Sequence, residues 1–268
     1  MSSTIEYVYC VIPASVFPTD VDQGAPRGID GGEVRRIVFG ELAALVSSLD
    51  AATYAGDTVA ERAGDAEWLA PRAVTHDAVV TWASDIGPVA PLPMWVMFGD
   101  SEGVASMLGA RAPVLQDGLD FVAGAREYAV RVVADRHALA EAAVSLDPAL
   151  AAVEQQAQTA PPGQAYLLRR KLAAAQKDTA RDIAGRIGNE IHSVLSAKAR
   201  ASALRAPSGG STGDQPNLIL DGAYLVPEDQ YDEFRLALTQ IIERYGTSGC
   251  RFEFTGPWPP YHFVRGNK

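Results

Sequence analysis

The sequence predicts an α+β fold in two domains, both with mainly antiparallel sheets. Three observations predict it. Strand-like segments at 5–12, 33–39 and 41–47 precede the first helix-like segment, so strands and helices come in runs. The second half reads strand, long helix, strand or hairpin, helix, strand, an order that suits a ferredoxin-like sandwich with helices on one face of the sheet. The 268 residues, 47% of them hydrophobic, suffice for one large or two modest cores. The expected division is an N-terminal α+β domain at 1–124 and a ferredoxin-like domain at 125–268 with a flexible loop at 207–217. No internal repeat of fixed period is present.

Residues 5–12 are apolar on both faces and few, which marks a central strand. Residues 18–32 are rich in Gly, Pro and Asp and read as a mobile loop. Strands follow at 33–39 and 41–47. Leu69, Ala73, His76, Val80 and Ala83 recur at spacings of three and four, which predicts a helix over 65–85. Asp65 is its expected N-cap, and Gly87-Pro88 ends it. Residues 89–98 hold prolines in an extended stretch and are expected at an edge or in an irregular strand. Ser101-Glu102 opens a helix carrying Val104, Met107, Leu108, Val114, Leu115, Leu119 and Phe121, with an interruption at Pro113.

Residues 127–133 alternate as a strand does, and a short alanine-rich helix follows at 137–144. The longest periodic segment is 164–203, with Leu168, Leu172, Thr179, Ile183, Ile187, Ile191 and Leu195 on one stripe. Unbroken, it would span roughly 60 Å at 1.5 Å per residue. Gly185 and Gly188 each cost about 1 kcal/mol relative to alanine and predict a bend or break. Residues 207–217 are rich in Gly, Ser and Pro and read as a flexible loop. A strand or hairpin at 218–226, a helix over 228–245 with Phe234, Leu238, Ile241 and Tyr245, and a strand at 250–254 complete the chain.

The last strand runs into Thr255-Gly256-Pro257-Trp258-Pro259-Pro260-Tyr261-His262-Phe263. Each proline fixes its own φ and biases the residue before it toward extended geometry. Trp258 and Tyr261 therefore project from a stiff backbone and lose little freedom on burial. A bare Pro-Pro-Tyr also suits a small aromatic-grooved domain. With a strand directly before it, the segment is expected to clamp the chain's own fold, with Trp258 largely buried.

This ending resembles the C-terminal signature of the gas vesicle F/L-type proteins (GvpF/GvpL). Four further segments match that family in order. Tyr7-Val8-Tyr9-Cys10-Val11-Ile12 resembles its opening strand, and Gly40-Glu41-Leu42-Ala43-Ala44-Leu45-Val46-Ser47 a later one. Residues 88–99 resemble a third segment, with a departure: Met94-Trp95-Val96-Met97 lies where the family usually has a basic residue and places Phe-Gly sooner. Gly163-Gln164-Ala165-Tyr166-Leu167-Leu168-Arg169-Arg170-Lys171 resembles the fourth. The resemblance implies a two-domain α+β architecture with a ferredoxin-like C-terminal domain. It implies a gas vesicle accessory or minor structural protein, with no enzymatic activity and no cofactor. The expected partners are the small, very apolar shell protein and other gas vesicle accessory proteins, and the expected role is vesicle assembly or nucleation. Gly256, Pro257, Trp258, Pro259, Pro260, Tyr261 and Phe263 are the signature positions.

Composition limits the alternatives. A net charge of −10 and a pI near 4.9 argue against nucleic acid and anionic membranes as partners and favour basic protein surfaces. Cys10 and Cys250 fall in expected strands, outside any CxxC or Cys/His cluster, so reduced thiols are expected and a zinc site is not. No secretory leader and no run of about 20 apolar residues is seen, which points to the cytoplasm.

Chemistry-bearing motifs are few. His76, His137, His192 and His262 stand apart in sequence. His76-Asp77 resembles half of a metal phosphohydrolase pair, but no histidine precedes it. His76 also lies on an apolar stripe, which suits a hydrogen-bonded structural histidine. Residues 28–32, Gly-Ile-Asp-Gly-Gly, are expected to lead into a strand, whereas a phosphate loop leads into a helix. Arg169, Arg170 and Lys171 form either a solvated face beside Asp178 and Asp182 or a docking patch for an acidic partner. Met94 and Trp95, in a dense apolar run, form either core strand or an interaction patch. The competing function class is an α+β enzyme or a regulatory ligand-binding module with an unrecognised site.

Overall fold

In the computed structural model, which describes residues 4–16, 24–54, 58–62, 64–205 and 217–264, the first sheet is built on the opening strand. Its strands are β1 (Thr4–Pro13), β2 (Arg35–Phe39), β3 (Leu42–Asp50), β4 (Ala90–Pro91) and β5 (Met97–Phe98). The order is β2–β3–β1–β4, and β5 also pairs with β1. β1 is central, and residues 6–12 are all buried. A bulge lies between Val8 and Cys10 in its pairing with β3. One extra residue there breaks strict alternation. Tyr7, Tyr9, Cys10 and Ile12 thus all join one core cluster.

The helices of this unit are α1 (Ala51–Tyr54), α2 (Thr58–Arg62), α3 (Ala66–Ile86) and α4 (Ser101–Val122). α3 brings Trp68, Val79, Val80 and Ala83 onto the Tyr7–Tyr9 face. Asp65 caps it, accepting the backbone N–H groups of Glu67 and Trp68. α4 packs on the opposite face through Val104, Leu108, Leu115 and Leu119, and Gly109 sits against the Phe39 ring. Its cap is Asp100, which accepts the Gly103 N–H at 2.8 Å. The interruption expected at Pro113 does not occur. Burial of Leu108 before it and of Leu115 and Leu119 after it holds the helix together across the missing N–H. Residues 89–98 form two two-residue pairings with β1, separated by a turn at Met94-Trp95.

The second unit contains most of β6 (Ala125–Ala134), then α5 (Arg136–Leu146), α6 (Pro148–Thr159), α7 (Pro162–Ser196), β7 (Ala201–Leu204), β8 (Asn217–Pro227), α8 (Tyr231–Tyr245) and β9 (Cys250–Trp258). Its sheet is ordered β7–β8–β6–β9, so β6 and β8 are central. Ile183, Ile187, Ile191 and Leu195 of α7 and Phe234, Leu238 and Ile241 of α8 meet Val130, Val132, Tyr224 and Val226 in one core.

Several expectations are corrected. α6 falls where no element was expected. α7 ends at Ser196, and 201–204, expected as helix, pairs antiparallel with β8. Of the two alternatives at 218–226, strand or hairpin, β8 is the single strand, and β9 runs four residues past its expected end. The loop expected at 207–217 lies outside the described residues except for Asn217, which opens β8, and the Thr179 side chain lies outside them too. The two units are Met1–Glu127 with Pro257–Lys268, and Tyr128–Gly256. The C-terminal segment, expected in the second domain, therefore groups with the first.

α7 also continues through both glycines. A Cβ on Gly188 would lie 2.7 Å from the Ile219 carbonyl oxygen, whereas one on Gly185 would meet nothing. Gly188 is thus present because β8 approaches the helix closely. Gly185→Ala is expected to raise stability by up to about 1 kcal/mol through helix propensity. Gly188→Ala is expected to lower it by about 1–3 kcal/mol through overpacking. Urea denaturation of the two variants checks this opposition of sign.

Candidate functional site

Tyr7 and Tyr9 are completely buried, so their hydroxyls must find partners. The Tyr7 hydroxyl lies 2.8 Å from His76 Nδ1. The Tyr9 hydroxyl lies 2.7 Å from Ser47 Oγ and accepts the Ile29 N–H at 2.8 Å. That bond anchors the 28–32 segment, expected to be mobile, against the sheet. A Cβ on Gly28 would meet the Tyr9 hydroxyl at 2.4 Å, so only glycine fits there. Burial pushes the His76 imidazole down to about 4, against an opposing backbone hydrogen bond at Leu92. It is neutral at pH 7, and among the described residues no His/Cys/Asp/Glu group could hold a metal ion.

Next to these tyrosines lies an aromatic stack. Trp68, from the first turn of α3, stacks on Trp95 at 5.1 Å between ring centroids. Tyr54 stacks on Trp95 at 6.1 Å, and Tyr7 meets Trp95 edge-on at 5.9 Å. Arg72, one turn after Trp68, lies 4.6 Å over the Trp68 ring, a cation–π contact. It donates from Nε to the Tyr54 hydroxyl at 2.6 Å, from Nη1 to the Trp68 carbonyl at 2.9 Å and from Nη2 to Asp30 Oδ1 at 2.8 Å. The Tyr54 hydroxyl donates to the other Asp30 oxygen. Arg62 lies 5.0 Å over Trp68 and 4.0 Å from Asp65.

Two features of this cluster are energetically unfavourable. Among the described residues, Asp30 (φ 52°) and Trp95 (φ 72°) are the non-glycine residues with positive φ. Aspartate tolerates that region, but for a bulky side chain it costs about 1–3 kcal/mol. Among the described residues the buried Trp68 Nε1–H has no acceptor, which costs about 1–3 kcal/mol.

Met94 and Trp95 are half-buried, part core and part surface. Arg169, Arg170 and Lys171 are exposed on α7, next to Tyr166 and Leu167, each 64% exposed. The two groups lie in different units. Tyr54, Trp68, Arg72 and Asp30 were not legible as a set, because Asp30 and Arg72 lie 42 residues apart and no spacing rule joins them.

The C-terminal signature is anchored differently from expectation. Trp258 is 42% exposed, not buried, because it still belongs to the extended end of β9. Pro259, Pro260, Phe263 and Val264 are buried instead. The turn is closed by the Tyr261 N–H on the Pro259 carbonyl at 2.7 Å and the Phe263 N–H on the Pro260 carbonyl at 3.2 Å. The Tyr261 hydroxyl donates to Asp77 at 3.3 Å. Glu127, 2% exposed, accepts the His262 backbone N–H at 3.0 Å and lies 2.6 Å from its Nδ1. Gly256 (φ 123°) takes a backbone conformation open to glycine, just before Pro257. Cys10 and Cys250 are buried free thiols.

The family model described as "Gas vesicle synthesis protein GvpL/GvpF" matches residues 6–265. The chain belongs to the GvpL/GvpF family. Its relatives in that family include gas vesicle protein L of Streptomyces sp. (strain CB03234), 28% identical over 97% of this chain and 92% of the relative. Gas vesicle protein L2 of Halobacterium salinarum is 28% identical over 96% and 90%. The crystal structures of GvpF from Anabaena sp. PCC7120 and Microcystis aeruginosa share the fold. Their TM-scores are 0.71 and 0.66 at 17% and 18% identity, over 98% and 97% of this chain and 99% of each of theirs. This GvpL/GvpF chain therefore has a gas vesicle-related role, and its fold is α+β with antiparallel sheets. Among its described residues no helix is long and apolar enough to cross a membrane.

Two outcomes follow from the geometry. The unfolded chain binds a proton at residue 76 below about pH 6.5, whereas the folded chain resists it to about pH 4. The contribution of neutral His76 is thus fully present above pH 6.5 and is lost as pH falls toward 4, by at most about 3 kcal/mol. His76→Gln should flatten that part of the stability–pH curve, as read by urea midpoints across the window. Separately, Phe263→Ala should cost about 3 kcal/mol, while Trp258→Ala should cost less than about 1. Thermal melts of the two variants test that ranking.

Proposed function

We propose that the chain binds the apolar gas vesicle shell protein and assists assembly or nucleation of the vesicle, without catalysis, in the cytoplasm. The observation that carries this reading is the family match over residues 6–265. The physical reason is that a subunit destined for a gas-facing wall exposes a large apolar surface until it joins the shell, and such a surface needs cover. Other gas vesicle accessory proteins are further proposed partners. The chain offers mixed apolar and basic surface at Tyr166, Leu167, Arg169, Arg170 and Lys171, and half-buried apolar surface at Met94 and Trp95. We propose both as partner-binding positions. The β6–α–β7–β8–α8–β9 succession and its strand order support a ferredoxin-like second domain.

Apolar contacts in the interface would supply most of the affinity, with charges at the rim. Co-purification with the shell protein should therefore persist from low to physiological salt and weaken only modestly. Joint alanine replacement of Tyr166 and Leu167 should reduce vesicle yield more than neutralising scattered surface carboxylates. No capture of the shell protein at any salt, together with normal vesicles in a deletion strain, overturns the proposal.

A further inference from the structure

The stack around Trp68 and Trp95 holds an indole N–H that has no acceptor among the described residues and a tryptophan in the left-handed region, on two rings in direct contact. Its charges, in contrast, are paired within the chain: Arg72 with Asp30, and Arg62 with Asp65. What the cluster lacks is one neutral acceptor. What it offers beyond that is aromatic surface. Trp68 is 6% exposed, and Trp95 is one of the groups that lie over its ring with Arg72 and Arg62, so an acceptor reaches its N–H only when such a neighbour moves. Trp95 is half-buried and sits on a turn flanked by pairings of two residues each, β4 and β5. A shift of this turn leaves the long β1–β3 pairing intact.

We propose that the Trp95 turn is a docking site for an extended apolar segment of a partner protein, one of whose backbone carbonyl oxygens accepts the Trp68 indole N–H. The inference rests on the reading of the chain as a binder of an apolar protein. The occupant is a neutral apolar segment because an ionised group would compete with ion pairs already formed. Binding relieves both unfavourable features together: the indole gains its acceptor, and the turn leaves the left-handed conformation. The free chain holds Trp95 over Trp68 as a plug, and the partner takes its place.

The test uses the full chain and a gas vesicle shell protein kept in solution as a fusion. Trp68→Phe keeps the ring face and deletes the N–H. Deleting the unsatisfied donor stabilises the fold and losing indole volume destabilises it, so binding and not the melting temperature is the readout. Affinity for the shell protein should fall about tenfold, the equivalent of one lost hydrogen bond across an interface. In the wild-type chain labelled with ¹⁵N at the indoles, the Trp68 resonance should move downfield as shell protein is added. Undiminished binding by Trp68→Phe, or an unmoved Trp68 resonance in a saturated wild-type complex, overturns this proposal and leaves the proposed function standing. Failure of the wild-type chain to bind at all sinks both. If Trp68→Phe does not fold, the wild-type resonance decides alone.

Discussion

The first unit depends on the burial of two tyrosine hydroxyls in a strand that is inaccessible on both faces. A phenol taken out of water without a partner would forfeit about 1–3 kcal/mol of what its ring gains in packing. Tyr7 and Tyr9 therefore impose conditions on three other parts of the chain. α3 must present His76 in a neutral state, β3 must present Ser47, and the 28–32 segment must come close enough to offer the Ile29 N–H. The bulge after Val8 is what lets both tyrosines face the same way with Cys10. Gly28 follows from the same requirement, since no side chain fits against the Tyr9 hydroxyl. Once the segment is held there, Asp30 is in reach of Arg72 and Tyr54, and the aromatic stack takes its form.

Much of this was legible where local and tertiary signals agree. The doubly apolar β1, the Asp65 cap of α3 and the Phe234–Leu238–Ile241–Tyr245 stripe of α8 could be read directly. Disagreement explains the rest. Residues 197–204, Ala-Lys-Ala-Arg-Ala-Ser-Ala-Leu, are strong helix formers, yet the last four pair with β8 because an edge of a packed sheet outweighs propensity. α6 was missed because its buried positions are only Leu150 and Ala157, although Asp147-Pro148 was a usable helix-start signal.

The candidate site was the least legible part. Trp95 was singled out for its bulk, but nothing in its neighbourhood indicated a left-handed backbone. Its ring partners come from a strand and two helices, and only the folded sheet brings them together. The same holds for Glu127 and His262, 135 residues apart, which read as a strand residue and an isolated histidine. Trp258 shows the converse. Its size suggested an anchor, but its place on an extended strand end left it to the surface, while the less conspicuous Pro259, Pro260 and Phe263 went inside.

The return of Pro257–Lys268 to the first unit makes that unit discontinuous in the chain, with Tyr128–Gly256 inserted between its two pieces. During synthesis, His262, which satisfies Glu127, and Tyr261, which packs against the first core, are translated after the whole inserted unit. The first unit therefore cannot finish folding on the ribosome ahead of the second, in contrast with the usual vectorial, domain-by-domain order. Until His262 emerges, the nascent protein carries a carboxylate at Glu127 that lacks the backbone N–H it accepts in the finished fold.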